Sequence, residues 1–448
     1  MNDTLIRTKT KETKIEIHGL GYVGFPLAVR LAMSGFKIYG IDKDINRITR
    51  LKKQKLIESE IHLMDEFVKV LESKDLYFSN ESIKMETPKI IIICVPTPIP
   101  SSNMLSDVYV MQVIEKFLEN AKEGDLVIVE SSIEVGTMEK IEEFINSKGF
   151  KVGQNIGVCF CPERVEPQNT VWGIENIPRI IYCSDDLSFE IAKEVYKHVN
   201  NSNLFRTTSS KIAEVVKSFE NTFRLVNISL VNELAILCDM LKIDVKEIID
   251  LASTKPFGFM PFYPSAGAGG HCIPKDPLFL LEASKKFGIE FKTLENAIDV
   301  NNFLPTYIVN QIEKILSNTN LEKSVIVFGL SYKPNIEDMR DSPGFKIIKK
   351  LLKQGFRVLA FDPFFNSKLH EKYCKENNLE NIGFEMLNEI DEDIVKQFSV
   401  ICIVQHHSKV KLKINEIYRK SQIPIIYDCQ NRLTVDSNSK TILKKFGS

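Results

Sequence analysis

The chain has almost no excess of charge: among 448 residues, 58 lysines and arginines meet 59 aspartates and glutamates, a formal net charge of −1. Such a balance gives no global field with which to hold a polyanion, so nucleic acid and acidic membrane are poor partners, while a local basic pocket for a small phosphorylated ligand stays open. Long apolar runs are missing too. The longest, residues 89–95 and 325–328, fall far short of the ~20 residues of a membrane span and read as buried strands. Residues 1–13 are polar and charged, without the apolar core of a signal peptide. The nine cysteines, an odd number scattered from Cys94 to Cys429, make no disulfide framework, and Cys159-Phe-Cys161 has no second pair to complete a zinc site. These absences predict a cytoplasmic protein with reduced thiols and no metal. With 44% apolar and 26% charged residues the composition is globular, which excludes a disordered, collagen-like or coiled-coil chain. The length predicts two or three domains at ~150 residues each.

What is present begins with a mononucleotide-binding unit. Residues 14–18 predict a buried strand, Gly19-Leu-Gly21-Tyr-Val-Gly24 a turn, 25–33 a helix, and 37–41 a second strand ending on Asp42. Gly19 permits the tight turn, Gly21 lets backbone approach a pyrophosphate, and Gly24 lets helix lie close on strand. The helix N-terminus then offers free N–H groups to phosphates. Asp42, 18 residues after Gly24, suits a ribose diol and repels a 2′-phosphate, which favours NAD over NADP, although Lys43 beside it works the other way. Further strand-like runs at 90–95 and 126–130, each followed by a helical pattern, predict a parallel sheet covered by helices. From 207 to 241 there is no proline or glycine, and Val215, Phe219, Phe223, Val226, Leu230, Leu234 and Leu237 recur at helical spacing. That is one helix of roughly 50 Å. Strand-like runs return at 324–328, 357–361, 399–404 and 424–427. The fold class is therefore α/β: two Rossmann-like, doubly wound parallel-sheet domains joined by a long central helix and helical domain. The expected division is 1–206, 207–318 and 319–448.

Several motifs admit both a functional and a plain structural reading. Val95-Pro-Thr-Pro98 and Glu130-Ser-Ser132 are rigid loops, yet each follows a parallel strand at the sheet edge where such folds bind ligands. Ser265-Ala-Gly-Ala-Gly-Gly-His-Cys-Ile-Pro-Lys-Asp276 has three glycines in four residues, which suggests close approach of backbone and ligand. Cys272 on that loop, with Lys275 and Asp276 after it, is either a buried thiol in a turn or a nucleophile in a tuned site. His271 alone decides nothing, and His406-His407 has no metal-ligand spacing. Lys217 and Asn221, four apart, share a helix face; Glu214 and Glu220 make a solvated charged stripe an equally good local reading.

Together these pieces resemble the UDP-glucose/GDP-mannose dehydrogenase family of nucleotide-sugar 6-dehydrogenases, from Lys14 to Arg432. The carriers, in family order, are Gly19-Leu-Gly-Tyr-Val-Gly24, Val95-Pro-Thr-Pro98, Glu130-Ser-Ser132 with Gly136-Thr137, and Pro162-Glu-Arg-Val165. Lys217-x-x-x-Asn221 with Asn232-Glu233, Gly269-Gly-His-Cys-Ile-Pro-Lys-Asp276, and Gly329-Leu-Ser-Tyr-Lys-Pro334 with Asp338-Met-Arg340-Asp-Ser-Pro343 complete the set.

The resemblance implies oxidation of a sugar C6 alcohol to the carboxylate with two NAD⁺ and no metal. Cys272 would attack the intermediate aldehyde and carry a thiohemiacetal and then a thioester. Lys217 would stabilise the oxyanion with Asn221 beside it, Asp276 would help activate water, and Glu163 would be the general base for hydrolysis. NAD would lie on Gly19, Gly21, Tyr22, Val23, Gly24 and Asp42, with Pro96, Thr97, Ser132 and, from the C-terminal domain, Arg340. Ser132 stands where the family usually has threonine. The UDP-sugar would meet Glu163, Arg164, Lys217, Asn221, Phe262, Tyr263, Gly269 and His271, with Lys333 on its diphosphate. The long central helix would form the core of a homodimer.

The loop sequence Thr254-Lys-Pro-Phe-Gly-Phe259, Pro261-Phe-Tyr-Pro264 and Gly-Gly-His-Cys looks like the subgroup acting on UDP-N-acetylglucosamine. UDP-N-acetylmannosamine and UDP-glucose are the alternatives, Lys275 being a feature shared with the UDP-glucose type. His18 before the glycine turn, Gln168 after Pro167, and Asp428-Cys-Gln-Asn431 in place of Asp-x-Arg depart from the family pattern, with Arg432 a candidate replacement for the missing arginine. The competing enzyme reading is a simple two-electron alcohol dehydrogenase, which has no need of Cys272.

Overall fold

Helix α1 (Asn2–Lys9) opens the chain where the sequence reads only as a polar tail. Its polar groups are satisfied inside the molecule: the buried Thr4 hydroxyl donates to the Gly124 carbonyl at 2.6 Å, and the buried Thr8 hydroxyl to the Thr4 carbonyl at 2.7 Å. The structure, a computed structural model, describes residues 1–97, 107–165, 169, 171–365, 371, 374–375, 383–409, 414, 424–433 and 441–448, without the side chains of 58 and 59. The chain separates into two compact units, Met1–Glu220 and Asn221–Ser448.

In the first unit the expected strand–turn–helix–strand forms as β1 (Lys14–His18), α2 (Gly24–Met33) and β2 (Lys37–Ile41). Then come α3 (Ile45–Lys52), α4 (Met64–Glu72), β3 (Leu76–Ser79), β4 (Lys89–Ile93), α5 (Val108–Leu118) and β5 (Leu126–Val129). α6 (Thr137–Ser147), β6 (Gly157–Phe160), β7 (Arg179–Cys183), α7 (Asp186–Tyr196) and β8 (Leu204–Arg206) follow. The sheet order is β3-β2-β1-β4-β5-β6-β7-β8, the doubly wound arrangement with two added edge strands. Its central strands are apolar throughout because both faces are covered: Ile15, Ile17, Ile90 and Ile92 pack on one side, Ile91, Ile93, Val127 and Val129 on the other.

Two expectations need correction here. The sheet is not wholly parallel, since β7 runs antiparallel to β6. That pairing also sets Cys159 opposite Cys183, with Cα atoms 4.1 Å apart, and the two are joined as a disulfide. Facing residues of an antiparallel pair come this close, whereas 24 residues of sequence separation give no hint of it.

The long helix α8 runs from Ser210 to Leu241, three residues shorter at its start than the sequence predicts. The second unit continues with α9 (Val245–Ala252), α10 (Asp276–Lys286), α11 (Lys292–Ser317), β9 (Ser324–Phe328), α12 (Pro343–Lys353) and β10 (Arg357–Phe361). It ends with β11 (Glu385–Leu387), α13 (Glu392–Val395), β12 (Val400–Ile403), β13 (Ile425–Asp428) and β14 (Ile442–Lys445). Its order, β11-β10-β9-β12-β13-β14, repeats the winding of β3-β2-β1-β4-β5-β6.

The repetition reaches single bonds. The Leu20 N–H donates to Asp42 beyond β2 at 2.8 Å, and the Leu330 N–H donates to Asp362 beyond β10 at 2.7 Å. Asp362 differs in that its Oδ2 is saturated, since that oxygen also accepts from the Ser331 N–H at 2.9 Å, the Ser331 hydroxyl at 3.0 Å and the His407 ring at 3.1 Å. An acid so committed holds its own turn.

Candidate active site

The glycine loop after β1 shows three separate constraints. Gly19 has φ of +92°, and a Cβ there would lie 2.6 Å from the Cys94 carbonyl oxygen. At Gly21 a Cβ would meet nothing within 4 Å, so this backbone faces open space. At Gly24 a Cβ would strike the Gly19 carbonyl oxygen, so α2 can start here only without a side chain. Tyr22 is exposed and Val23 directly precedes the helix. The Asp42 carboxylate is oriented across the turn, with Oδ2 on the Leu20 N–H and Oδ1 on the Asp44 N–H at 2.9 Å. Each oxygen keeps a lone pair for a ligand hydroxyl. Bare glycine backbone, a helix start and an oriented acid fit a dinucleotide. His18 lies beneath, buried, its ring 3.1 Å from Glu16, which also pairs with Lys89 at 2.9 Å.

β4 and β5 deliver the next two motifs side by side. The Thr97 hydroxyl donates to the Ser132 carbonyl at 2.6 Å, and the Ser131 hydroxyl donates to the Val95 carbonyl at 2.7 Å. Pro96, Thr97 and Ser132 are thus brought together, whereas Pro98, Pro167 and Gln168 lie outside the described residues.

Glu163, after β6, is held by three donors. Oε1 accepts the N–H groups of Arg164 and Val165 at 2.7 and 2.6 Å, and Oε2 accepts from Arg179 at 2.8 Å. Burial acts to raise its pKa, but Arg179, those two N–H groups and Lys217 outweigh it and hold the carboxyl below the ordinary glutamate value. The Arg164 guanidinium pairs with Glu220 and donates to the Pro178 carbonyl at 2.8 Å. Nor is Glu214 part of a solvated stripe. It is buried, and its carboxylate accepts the Gly136 and Met138 N–H groups at 2.7 and 2.9 Å, capping α6.

In the second unit the Asn221 amide donates to Asp276 at 2.6 Å, both side chains buried. Asp276 begins α10, and its N–H donates to the Cys272 carbonyl at 2.8 Å. Exposed Cys272 therefore sits on the turn that opens a helix, at the positive end of its dipole. The loop before it is pinned throughout. The Ser265 N–H donates to Asn232 at 2.9 Å, the Ala268 N–H to Asn301 at 2.6 Å, and the Gly270 N–H to the Arg340 carbonyl at 3.0 Å. A Cβ on Gly270 would lie 2.6 Å from the Tyr332 ring. Gly269 and His271 are thereby fixed against the segment 332–343 that carries Lys333 and Arg340. The Arg340 guanidinium lies on Asp338, at 2.6 Å. Phe262 packs edge-on to Phe223 with centroids 6.0 Å apart, and the Tyr263 hydroxyl reaches Asp250 at 3.4 Å. In the departing segment, Asp428 accepts the N–H groups of Gln430, Arg432 and Leu433 and pairs with His406, while the Gln430 amide bonds to Gln405.

Sequence reasoning missed Asn301, which clamps the cysteine loop, and Arg179, which holds Glu163. Arg179 did leave a signal: a charged residue at the start of the otherwise apolar run Ile-Ile-Tyr-Cys.

Two Rossmann-like halves, a glycine-loop crevice fitted to NAD and a cysteine on a pinned glycine turn define the class of NAD-dependent dehydrogenases. Models of the UDP-glucose/GDP-mannose dehydrogenase family match three stretches: its NAD binding domain at residues 13–200, its central domain at 211–303 and its UDP binding domain at 326–435. This chain belongs to that family. It is 34% identical over 433 residues to the UDP-N-acetyl-D-mannosamine dehydrogenase of Methanococcus vannielii, covering 95% of this chain and 94% of the relative. It is 32% identical over 362 residues to the UDP-N-acetyl-D-glucosamine 6-dehydrogenase of Salmonella typhi, covering 80% and 84%. The solved UDP-D-ManNAc dehydrogenase of Pyrococcus horikoshii superposes with a TM-score of 0.85 at 29% identity, covering 97% of this chain and 99% of that one.

Proposed function

We propose that this chain oxidises the C6 hydroxyl of a UDP-linked 2-acetamido sugar to the carboxylate through a thioester on Cys272. The observation that carries the reading is exposed Cys272 on a turn pinned by Asn301 and the Arg340 carbonyl, next to the buried Asn221–Asp276 pair. Bound NAD⁺ supplies the hydride acceptor for each oxidation. Lys217 and Asn221 hold the charge that develops on the substrate oxygen. The Cys272 thiolate forms a C–S bond to the C6 aldehyde, so the aldehyde stays on the enzyme until it has become a thioester. A water oxygen then bonds to that carbon, Glu163 takes the water proton, and the C–S bond breaks with its electron pair returning to Cys272. Thr97 and Ser132 line the NAD side. Lys333 holds the diphosphate, and Arg340 is the contact to NAD from the UDP binding domain.

In this reading residues 1–206 hold NAD, 207–318 carry Cys272 and the dimer surface, and 319–448 hold UDP. The substrate is UDP-N-acetyl-D-mannosamine. The Gly-Gly-His-Cys loop by itself favours UDP-N-acetyl-D-glucosamine, but relatives sharing nearly the whole length at 34% identity bear the mannosamine name, which tilts the choice. The glucosamine sugar is the second reading, on the strength of the Salmonella typhi relative. The active form is a homodimer through α8.

NAD⁺ reduction with UDP-N-acetylmannosamine, UDP-N-acetylglucosamine, UDP-glucose and GDP-mannose tests the substrate. The mannosamine sugar should give the highest kcat/KM, by about tenfold or more, because a site built to hydrogen-bond one hydroxyl arrangement leaves polar groups unpaired with another. A preference for UDP-glucose or GDP-mannose would remove the acetamido assignment.

A further inference from the structure

At the C-terminal edge of the first sheet lies a buried charged group that none of these steps uses. Arg179 spans two carboxylates: it donates to Glu130 at 3.2 Å through Nη1 and to Glu163 at 2.8 Å through Nη2. The Tyr196 hydroxyl donates to the same Glu130 oxygen at 2.5 Å, and its ring lies 4.9 Å from the guanidinium carbon. Side-chain exposure falls from 10% at Glu163 to 3% at Arg179 and 0% at Glu130. The three form a column leading inward from the proposed base.

A buried triad of this kind is poor at stabilising a fold, because desolvation consumes most of what the pairing gains. Among the described residues, Glu130 Oε2 and Arg179 Nε have no protein hydrogen-bond partner, so the guanidinium is spent on the two carboxylates. Glu130 shows what burial does to a glutamate here. Burial pushes its pKa up to about 7, against the pull of Arg179. Glu163 has the shorter Arg179 contact and two backbone N–H groups besides, and remains an anion. Near neutral pH the column thus holds one fixed ion pair, Arg179–Glu163, backed by a Glu130 carboxyl that is about half protonated. The remaining titratable groups around Glu130 are Tyr196, Cys94 and Cys161, all pushed up by burial and uncharged, with Lys217 acting through Glu163.

We propose that Arg179 is the positioning residue of thioester hydrolysis: its fork holds Glu163 as a fixed, ionised base, and Glu130 braces the fork from inside. The inference rests on Glu163 being the base that deprotonates water. Without the fork, Glu163 keeps only Lys217 and two N–H groups on one oxygen against the same burial, so its carboxylate is more easily protonated and its second oxygen is no longer held in place.

Arg179→Lys keeps a charge but cannot span both carboxylates. With the full-length enzyme and its best UDP-sugar, two NADH per site should appear in a fast phase, followed by turnover slowed about tenfold or more. Acid-quenched protein should carry the sugar nucleotide as an adduct on Cys272 by intact mass, while the KM for NAD⁺ stays within about threefold. Turnover near wild type without adduct would overturn the proposal, and so would a loss of NAD⁺ affinity in step with turnover. Glu130→Gln decides the matter if the lysine variant does not fold. The wild-type hydrolysis rate should step down as pH rises through 7, as ionising Glu130 competes for Arg179 and loosens the fork on Glu163, and the variant should lack the step. Identical profiles would overturn the proposal. If wild type reduces no NAD⁺ with any nucleotide sugar, it is the function that falls, a result that needs no variant to be seen.

Discussion

Glu130 and Glu163 stand a guanidinium apart, yet one is pushed up to about 7 and the other held below its ordinary value. The difference is the number of donors each receives against the same burial. It has a consequence for stability. The folded-state pKa of Glu130 lies above its ordinary 4.5, so the folded chain keeps a proton that the unfolded chain gives up. The stabilisation is complete below pH 4.5 and is lost as pH rises through 7, a change of about 3 kcal/mol. Thermal melts should therefore show Tm falling by several degrees between pH 5 and 8, with a flatter curve for Glu130→Gln. An unchanged slope in the variant would assign the pH dependence elsewhere. At this scale the sequence was legible where a residue type has one use. Gly19, Gly24 and Asp42 took the positions their spacing implies. The roles of Arg179, Asn301 and the Cys159–Cys183 pair were not legible, because their partners are 16 to 49 residues away and come together only through strand register and helix docking.

Among the elements, α8 is the most exposed to test. Ile212, Val215, Phe219, Phe223, Leu230, Leu237 and Leu241 recur at intervals of three, four and seven, which keeps them on one stripe. All seven are exposed in the single chain, Leu230 to 63%. A contiguous apolar stripe of this length calls for a protein partner, and a second copy of the same helix matches it, since symmetric dimers bury one patch against itself. Light scattering at micromolar concentration should give a dimer mass for wild type and a monomer mass for Leu230→Glu. A monomeric wild type would contradict the dimer. The helical period of this stretch was plain in the sequence. The edge strands β3, β8, β11 and β14 were not, being only three or four residues long, too short for a period of two to stand out.

Over the whole molecule, the repeated strand order places a glycine and an acid at the same two positions in each half, with opposite outcomes. Asp42 keeps capacity for a ligand, while Asp362 is consumed by its own turn and His407. One winding thus supplies a dinucleotide crevice in the NAD binding domain and a turn closed on itself in the UDP binding domain. That duplication was invisible in residue identities, because parallel strands constrain apolar character and not particular side chains. The family was legible because its motifs are short and local.

In the proposed mechanism one cysteine lets the enzyme take four electrons from one carbon. It is tested most directly by counting NADH formed per UDP-sugar consumed, with wild type and with Cys272→Ala, while the acid is measured separately. Wild type should form two NADH and one carboxylate per sugar. Cys272→Ala should form no carboxylate and bind NAD⁺ within about threefold of wild type. Carboxylate formation by the alanine variant at two NADH per sugar would contradict the mechanism.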